Sequence, residues 1–516
     1  MSESAAERKF TPTAAKKKEG RRKLLRWTAI GTAAVVVAGA GVALGIKIDA
    51  DSYHCGSGVV KYTSDGTTEC VGVTDGTFPF DQSLNTIESD IYTQNQNAVA
   101  SGNYVTIALL TPLLTNPDSD ITLPRILSEL EGAYVAQSTY NSGKDQPEIQ
   151  LLLANEGSNE QAWSTVVGQL INLPASQHLV AVVGMGISTT QTVQGARELA
   201  AVAPPANQSP YAAIPMVGAV TTADGLDING PTAAQVGPAL AGHIPGMYRV
   251  TPDIDEEVTG LLGYLKQQHL LTDAVLADDT NNADLYTNSL DTDFKNLFSG
   301  YLSNTEEYDG SQGADTPGNG LQTLLSAICT QNSATPPLVL YAGREDLLSN
   351  FIQLLRKLPC TAHVHTLDVI TGSDAESLDL AATANVAGEP QINVIYADIT
   401  DIPQLSQSYT STFDKAVGSP APDLSWAAEV YDSVTAVGEA LINFNPSGAL
   451  KQIPTRSQMS DALYNLNSLS NPIDGATGEF YFSQSDGNEN CQALPIVIDS
   501  DGHSSEQLAP AQPGCS

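Results

Sequence analysis

The chain has 516 residues, 41% of them hydrophobic, and a formal charge of −35 at pH 7. That is length for two or more domains and apolar content enough for most of the chain to fold. Residues 1–26 hold nine Lys and Arg against three Glu, leaving 14 basic and 55 acidic residues beyond Arg26, a formal charge near −41. So acidic a surface argues against nucleic acid as a partner, because phosphate binding needs Lys and Arg.

Residues 1–26 read as a basic, disordered cytoplasmic segment. Residues 27–46 form an uncharged run of about twenty residues, enough to span a hydrocarbon core of roughly 30 Å. Basic residues precede it and Asp49 and Asp51 follow, so the positive-inside rule predicts a single-pass anchor with the remainder extracytoplasmic. A cleaved signal peptide is the rival reading. All six cysteines follow this run, and no CxxC pair occurs among them. An even count on one side of a membrane suggests disulfides. Sequence does not set connectivity; nearest-neighbour pairing, Cys55–Cys70, Cys329–Cys360 and Cys491–Cys515, is the simplest scheme. Residues 47–100 read as a juxtamembrane region stapled by Cys55 and Cys70, with Gln94 to Gly102 as a linker.

From Tyr104 strands and helices alternate, the mark of a parallel α/β sheet. Strands are expected at Tyr104–Leu110, Ile149–Ala154, Leu179–Val183, Ile214–Val217, Met247–Val250, Ala274–Ala277, Leu338–Tyr341, His363–Ile370 and Ile392–Ala397. Helices fall between them, and Ser425–Ile442 is a strong helix with Trp426, Val430, Val434, Val437 and Leu441 on its apolar side. Glu479–Phe482 and Pro495–Ile498 read as short strands joined in a hairpin-like return, and 501–516 as a tail.

The stretch from Leu179 to Leu226 gathers hydroxyls. Gly184 and Gly186 allow a turn, and Ser188 with Gln191 has capping-box spacing for the next helix. Thr221 and Thr222 follow the neighbouring strand. Ser188, Thr189, Thr190, Thr221 and Thr222 thus lie near one edge of a sheet, and the crevice outside the carboxyl ends of parallel strands is where ligands bind. A helix N-terminus with free N–H groups suits an anion. The bland alternative is that these residues only cap a helix and close turns. No G-x-S-x-G elbow, P-loop or zinc-protease spacing occurs. The sequence therefore predicts no enzyme and no cofactor.

Several stretches together resemble the type 1 periplasmic-binding fold, in the branch of leucine/isoleucine/valine-type solute-binding proteins. They are GMGISTTQTVQGA (184–196), IPMVGAVTTADGL (214–226), MYRVTPDIDEE (247–257), AVLADDTNNADLYTNSLDTDFKNLF (274–298), WAAEVYDSVTAVGEAL (426–441) and GATGEFYFSQSDGN (475–488). The resemblance implies two α/β lobes joined by three crossings near Arg249, Ala397 and Leu466 to Asn471. One lobe would hold 101–249 and 398–470, the other 250–397 and 471–500. Ligand would sit between them, with hinge closure. In amino-acid-binding relatives the ligand carboxylate meets positions matching Ser188, Thr190, Thr221 and Thr222. In the second lobe Asn281-Asn282 and Arg344 stand where relatives place aromatics, and Asp374 lies near an acid kept for the ligand amine. The implied function is binding of a small polar solute (amino acid, amide or related) for an ABC-type permease. The alternative is a ligand-sensing or protein-interaction ectodomain that signals through a membrane partner.

Overall fold

The computed structural model describes residues 54–509 except 65, 117–118, 144–145, 202–212, 227–229, 311–320, 331–335, 359, 361–363, 379, 381–388, 419, 446–451, 484–486, 490–493 and 501–502. The expected span at 27–46 and the Cys491–Cys515 pair lie outside the described residues. Among the described residues, no helix is long and apolar enough to cross a membrane.

The described residues begin with strands β1 (His54–Gly56), β2 (Val59–Ser64) and β3 (Thr67–Thr74), and a disulfide joins Cys55 to Cys70 across Cα atoms 5.9 Å apart. Helix α1 (Asn85–Ser101) follows. Then come β4 (Tyr104–Thr111), α2 (Leu123–Asn141), β5 (Glu148–Asn155), α3 (Trp163–Ile171), β6 (Leu179–Gly184), α4 (Thr190–Ala200), β7 (Met216–Gly218), the short α5 (Ala233–Val236) and β8 (Met247–Arg249). Their sheet runs β1-β2-β3-β5-β4-β6-β7-β8. The strands from β4 to β8 are parallel, as β-helix-β connections require.

The linker expected up to Gly102 is instead the second half of α1, and 54–74 extends the first sheet, β3 pairing antiparallel with β5 through Gly72 opposite Asn155. The physical reason is Asn95. It occupies the apolar rhythm Ile87, Ile91, Ala98 as a polar member, so the stretch does not read as an amphipathic helix. Its buried amide bonds both backbone groups of Leu151, at 2.7 Å each, and also the Asp75 carbonyl and Gln137. A buried amide so satisfied costs little.

The second sheet is built from α6 (Ile254–Gln267), β9 (Ala274–Asp279), α7 (Leu285–Leu297), β10 (Leu302–Tyr308), α8 (Leu321–Thr330), β11 (Leu338–Ala342), α9 (Glu345–Arg356), β12 (Thr366–Thr371) and β13 (Gln391–Ala397). A second disulfide joins Cys329 to Cys360. The chain then returns to the first core through α10 (Gln407–Val417), α11 (Leu424–Phe444), α12 (Arg456–Tyr464), β14 (Ile473–Asp474), β15 (Glu479–Ser483) and β16 (Gly487–Glu489). It ends in β17 (Pro495–Ser500) and β18 (His503–Leu508), giving the order β10-β9-β11-β12-β13-β17-β18.

Three expectations near the end are corrected. The last crossing does not fall at Leu466 to Asn471, because Phe480 and Phe482 of β15 are buried in the first core, Phe482 against Tyr248 with ring centroids 4.8 Å apart. Asp432 of α11 also holds the β14–β15 turn, accepting from Thr477 N at 3.1 Å and Thr477 Oγ1 at 2.6 Å. The chain re-enters the second sheet at β17. Accordingly β15 and β17 do not form a hairpin: β15 pairs with β14 and β16, whereas β17 pairs with β13 and β18. The expected tail contains β18, whose backbone pairing with β17 needs no apolar side chain and so leaves no hydrophobic signal. Two α/β lobes result, with their parallel strands directed at a common crevice.

Candidate functional site

The crevice is built from loops at the carboxyl ends of the strands in both sheets. After β6, Gly184 and Gly186 take positive φ of 83° and 62°, and a Cβ on Gly186 would lie 2.1 Å from Glu160 Oε1. Only a glycine lets the backbone come so close. Glu160 itself has a φ of 55° and is fully buried. Its carboxylate accepts from Ile187 N at 2.7 Å, from Thr192 Oγ1 at 3.2 Å and from Thr189 Oγ1. Burial pushes this carboxyl up to about 7 against those bonds.

The hydroxyls expected in this stretch divide into different roles. The cap of α4 is Thr189, paired reciprocally with Thr192, rather than Ser188 with Gln191. Ser188 is engaged elsewhere. Its Oγ accepts from Ala223 N at 3.0 Å, and its carbonyl accepts from Leu285 N at 2.9 Å. Thr190 N donates to the Ala283 carbonyl at 3.0 Å, and Thr190 Oγ1 meets Gln191 Oε1 at 2.8 Å. Thr222 is buried, its carbonyl accepting from Ile254 N at 3.0 Å. Thr221 is fully buried, and its Oγ1 has no hydrogen-bond partner among the described residues.

The facing side carries charge. Asp284 caps α7 through Tyr286 N and Thr287 N, and both its oxygens receive Arg344, Nε at 2.7 Å and Nη2 at 2.9 Å. The guanidinium lies 4.5 Å over the Tyr286 ring. Arg344 Nη1 also stands 3.9 Å from Asp374 Oδ2, which accepts from Glu345 N at 3.0 Å. From the first lobe, Arg125 meets Asp374 through Nη1 and donates from Nη2 to the Asp374 carbonyl at 3.0 Å. Its Nε reaches Asp423 Oδ2 at 3.2 Å, and its plane lies 4.5 Å over Trp426. Burial alone would raise the Asp374 carboxyl, but the Arg125 and Arg344 guanidiniums outweigh it and hold the group below the usual carboxylate range.

Of the residues singled out by sequence, Ser188, Thr189, Thr221, Thr222, Arg344 and Asp374 are buried at this crevice, and Thr190 is half-buried. Asn282 is exposed on the loop that leads into Asp284. Sequence reasoning missed Arg125, Glu160, Asp284 and Asp423. Arg125 had one legible signal: it is one of 14 basic residues beyond Arg26 and lies in an apolar helix. Asp284 and Asp423 had cap positions. Among the described residues, no group of three or more His, Cys, Asp or Glu could hold a metal ion.

Two parallel-rich sheets facing one crevice, with three passages of the chain between them, define the type 1 periplasmic-binding-protein fold. Solved structures agree. A leucine-binding protein from Thermotoga maritima superposes with a TM-score of 0.56 at 14% identity, over 79% of this chain and 99% of that one. A branched-chain amino acid transporter substrate-binding protein from Streptococcus pneumoniae, in complex with isoleucine, gives 0.55 at 16% identity, over 79% and 99%. An ABC-transporter solute-binding protein from Rhodopseudomonas palustris, in complex with 3,4-dihydroxybenzoic acid, gives 0.53 at 12% identity, over 80% and 100%. At these identities the likeness concerns the fold. No protein-family model and no curated protein matches the chain.

Proposed function

We propose that this protein is a non-catalytic, extracytoplasmic solute-binding protein. It takes a small polar molecule bearing a carboxylate, an amino acid or related compound, in the crevice between its lobes. The observation that carries this reading is Thr221: a fully buried hydroxyl with no hydrogen-bond partner among the described residues, in the loop at the carboxyl end of β7. A buried hydroxyl is normally bonded, so a group from outside the chain is its natural partner. The ligands of the superposed proteins, isoleucine and 3,4-dihydroxybenzoic acid, both carry a carboxylate, which supports that class. Delivery to an ABC-type permease, and tethering to the membrane through 27–46, complete the proposal.

The test is a thermal-shift screen of the full-length chain against amino acids, amides, aromatic acids and sugars. A ligand bound only by the native state raises the melting temperature. We expect a shift with at least one carboxylate-bearing compound, and its loss or weakening by about 1 kcal/mol, the scale of one hydrogen bond, in Ser188→Ala. If no small solute moves the melting temperature, the reading fails.

A further inference from the structure

Sorted by lobe, the charged groups of the crevice show which bonds join the halves. Arg125 on α2 and Asp423 before α11 belong to the first lobe. Asp284, Arg344 and Asp374, after β9, β11 and β12, belong to the second. Arg125 therefore reaches across, and it does so twice: its Nη1 pairs with the Asp374 carboxylate, and its Nη2 bonds the Asp374 carbonyl at 3.0 Å. Backbone bonds cross as well. Thr190 N donates to the Ala283 carbonyl and Leu285 N to the Ser188 carbonyl, forming a bridge between Thr189 and Asp284. Asp224 N adds a bond to Ser289 Oγ at 3.0 Å. Each of these is made by the chain to itself, and they run past the hydroxyls at which a solute would be held.

We infer that Arg125 and Asp374 form an interlobe clasp, so that the two lobes close on each other through the chain's own residues rather than through a solute. Both partners are set in place before they meet. Arg125 is held by Asp423 and by the face of Trp426. Asp423 is itself fastened, as the cap of α11 and by Ser128 Oγ on its own N–H at 2.9 Å. On the other side, Glu345 N bonds the Asp374 carboxylate, and the Asp374 N–H donates to Tyr286 Oη at 3.0 Å. A planar guanidinium fixed in this way loses little freedom when it meets a carboxylate. Arg344 is already satisfied by Asp284 within its own lobe, and Arg249 pairs with Asp253 at the first crossing of the chain, so among the described residues Arg125 is the cation that joins the lobes away from the crossings. Removing either member leaves the other with only its remaining partner, Asp423 for Arg125 and the more distant Arg344 for Asp374, so the closed form loses a buried charge pair and the interlobe bonds. The inference rests on contacts within the chain and stands whether or not the solute reading succeeds.

Hydrogen exchange on the full-length chain tests it, after unfolding and refolding to strip small molecules. Peptides covering 188–190 and 283–287 are the readout, and peptides from β4, β6 and β9 report whether the fold is intact. We expect the crossing peptides to be protected in the stripped wild type. Arg125→Ala and Asp374→Asn should each lose that protection several-fold while the strand peptides keep theirs. Trp426 emission should shift to the red as the cover over its ring is removed. If Arg125→Ala disrupts the strand peptides, the isosteric Asp374→Asn decides. The clasp is overturned if the stripped wild type is unprotected at 188–190 and 283–287 and gains protection only with an added solute. It is equally overturned if the variant that keeps its fold leaves those peptides as protected as before.

Discussion

At the scale of single residues the crevice holds both groups that are satisfied and groups that are not. Glu160, Asp284, Arg344 and Asp374 all have partners inside the chain, whereas Thr221 Oγ1 has none among the described residues. A buried hydroxyl without a bond costs on the order of 1–3 kcal/mol. Thr221→Val keeps the shape and removes that cost. The free protein should therefore become about 1 kcal/mol more stable in urea while solute affinity falls. A drop in free-protein stability would instead mean that the hydroxyl serves the fold. The strand-end placement of Ser188 and Thr221 was legible from residue type and pattern, whereas Asp374 was pointed to only by the family resemblance. Arg125 was not legible, because its partner lies 249 positions away and nothing local marks it.

Elements carry the site through their packing. Helices α2 and α11 bring Arg125 over Trp426, and they approach closely at Gly132, where an added Cβ would sit 2.1 Å from the Ala427 carbonyl oxygen. That oxygen belongs to helix backbone and cannot turn aside. Gly132→Ala should force the helices apart and cost about 1–3 kcal/mol, the usual range for overpacking, even though Ala favours helix by about 1 kcal/mol. Chemical denaturation measures it, and a neutral or stabilising result would show that this contact yields. The same scale explains which elements sequence revealed. The alternation from β4 to β13 was legible because parallel strands buried on both faces are continuous apolar runs. The helix α1 was not, because a bonded asparagine stands where a leucine would signal it. The strand β18 is exposed, and its pairing with β17 is by backbone.

The whole molecule is strongly acidic, and folding buries many of its carboxyls. Burial pushes Asp293 up to about 9, Glu129 and Glu257 up to about 8, and Asp398 and Asp432 up to about 7. In the unfolded chain such groups ionise near pH 4. Between roughly pH 4 and 9 the folded state therefore binds more protons, and stability falls as pH rises. Asp374 acts oppositely: its lowered carboxyl stabilises the fold above its unfolded value, and that contribution is lost as pH falls through its folded one. The melting temperature should peak in mild acid and decline steadily toward pH 9. A flat or rising profile between pH 5 and 8 would contradict it. Protection at 188–190 and 283–287 should also weaken as pH falls through the lowered folded value of Asp374, where the carboxylate takes up its proton.

Read along the chain, the residues give the parallel α/β alternation, the order of most strands and helices, and the hydroxyl-bearing edge at Ser188 to Thr222; the two-lobed arrangement comes from the family resemblance. The features read along the chain arise from local periodicity, glycine-allowed turns and strand ends. Only the tertiary structure decided that 54–101 belongs to the first lobe, that β15 and β17 lie in different sheets, and that the crevice is crossed by Arg125 and Asp374. These depend on pairs far apart in sequence and on polar groups whose burial is made tolerable by partners that no local pattern announces.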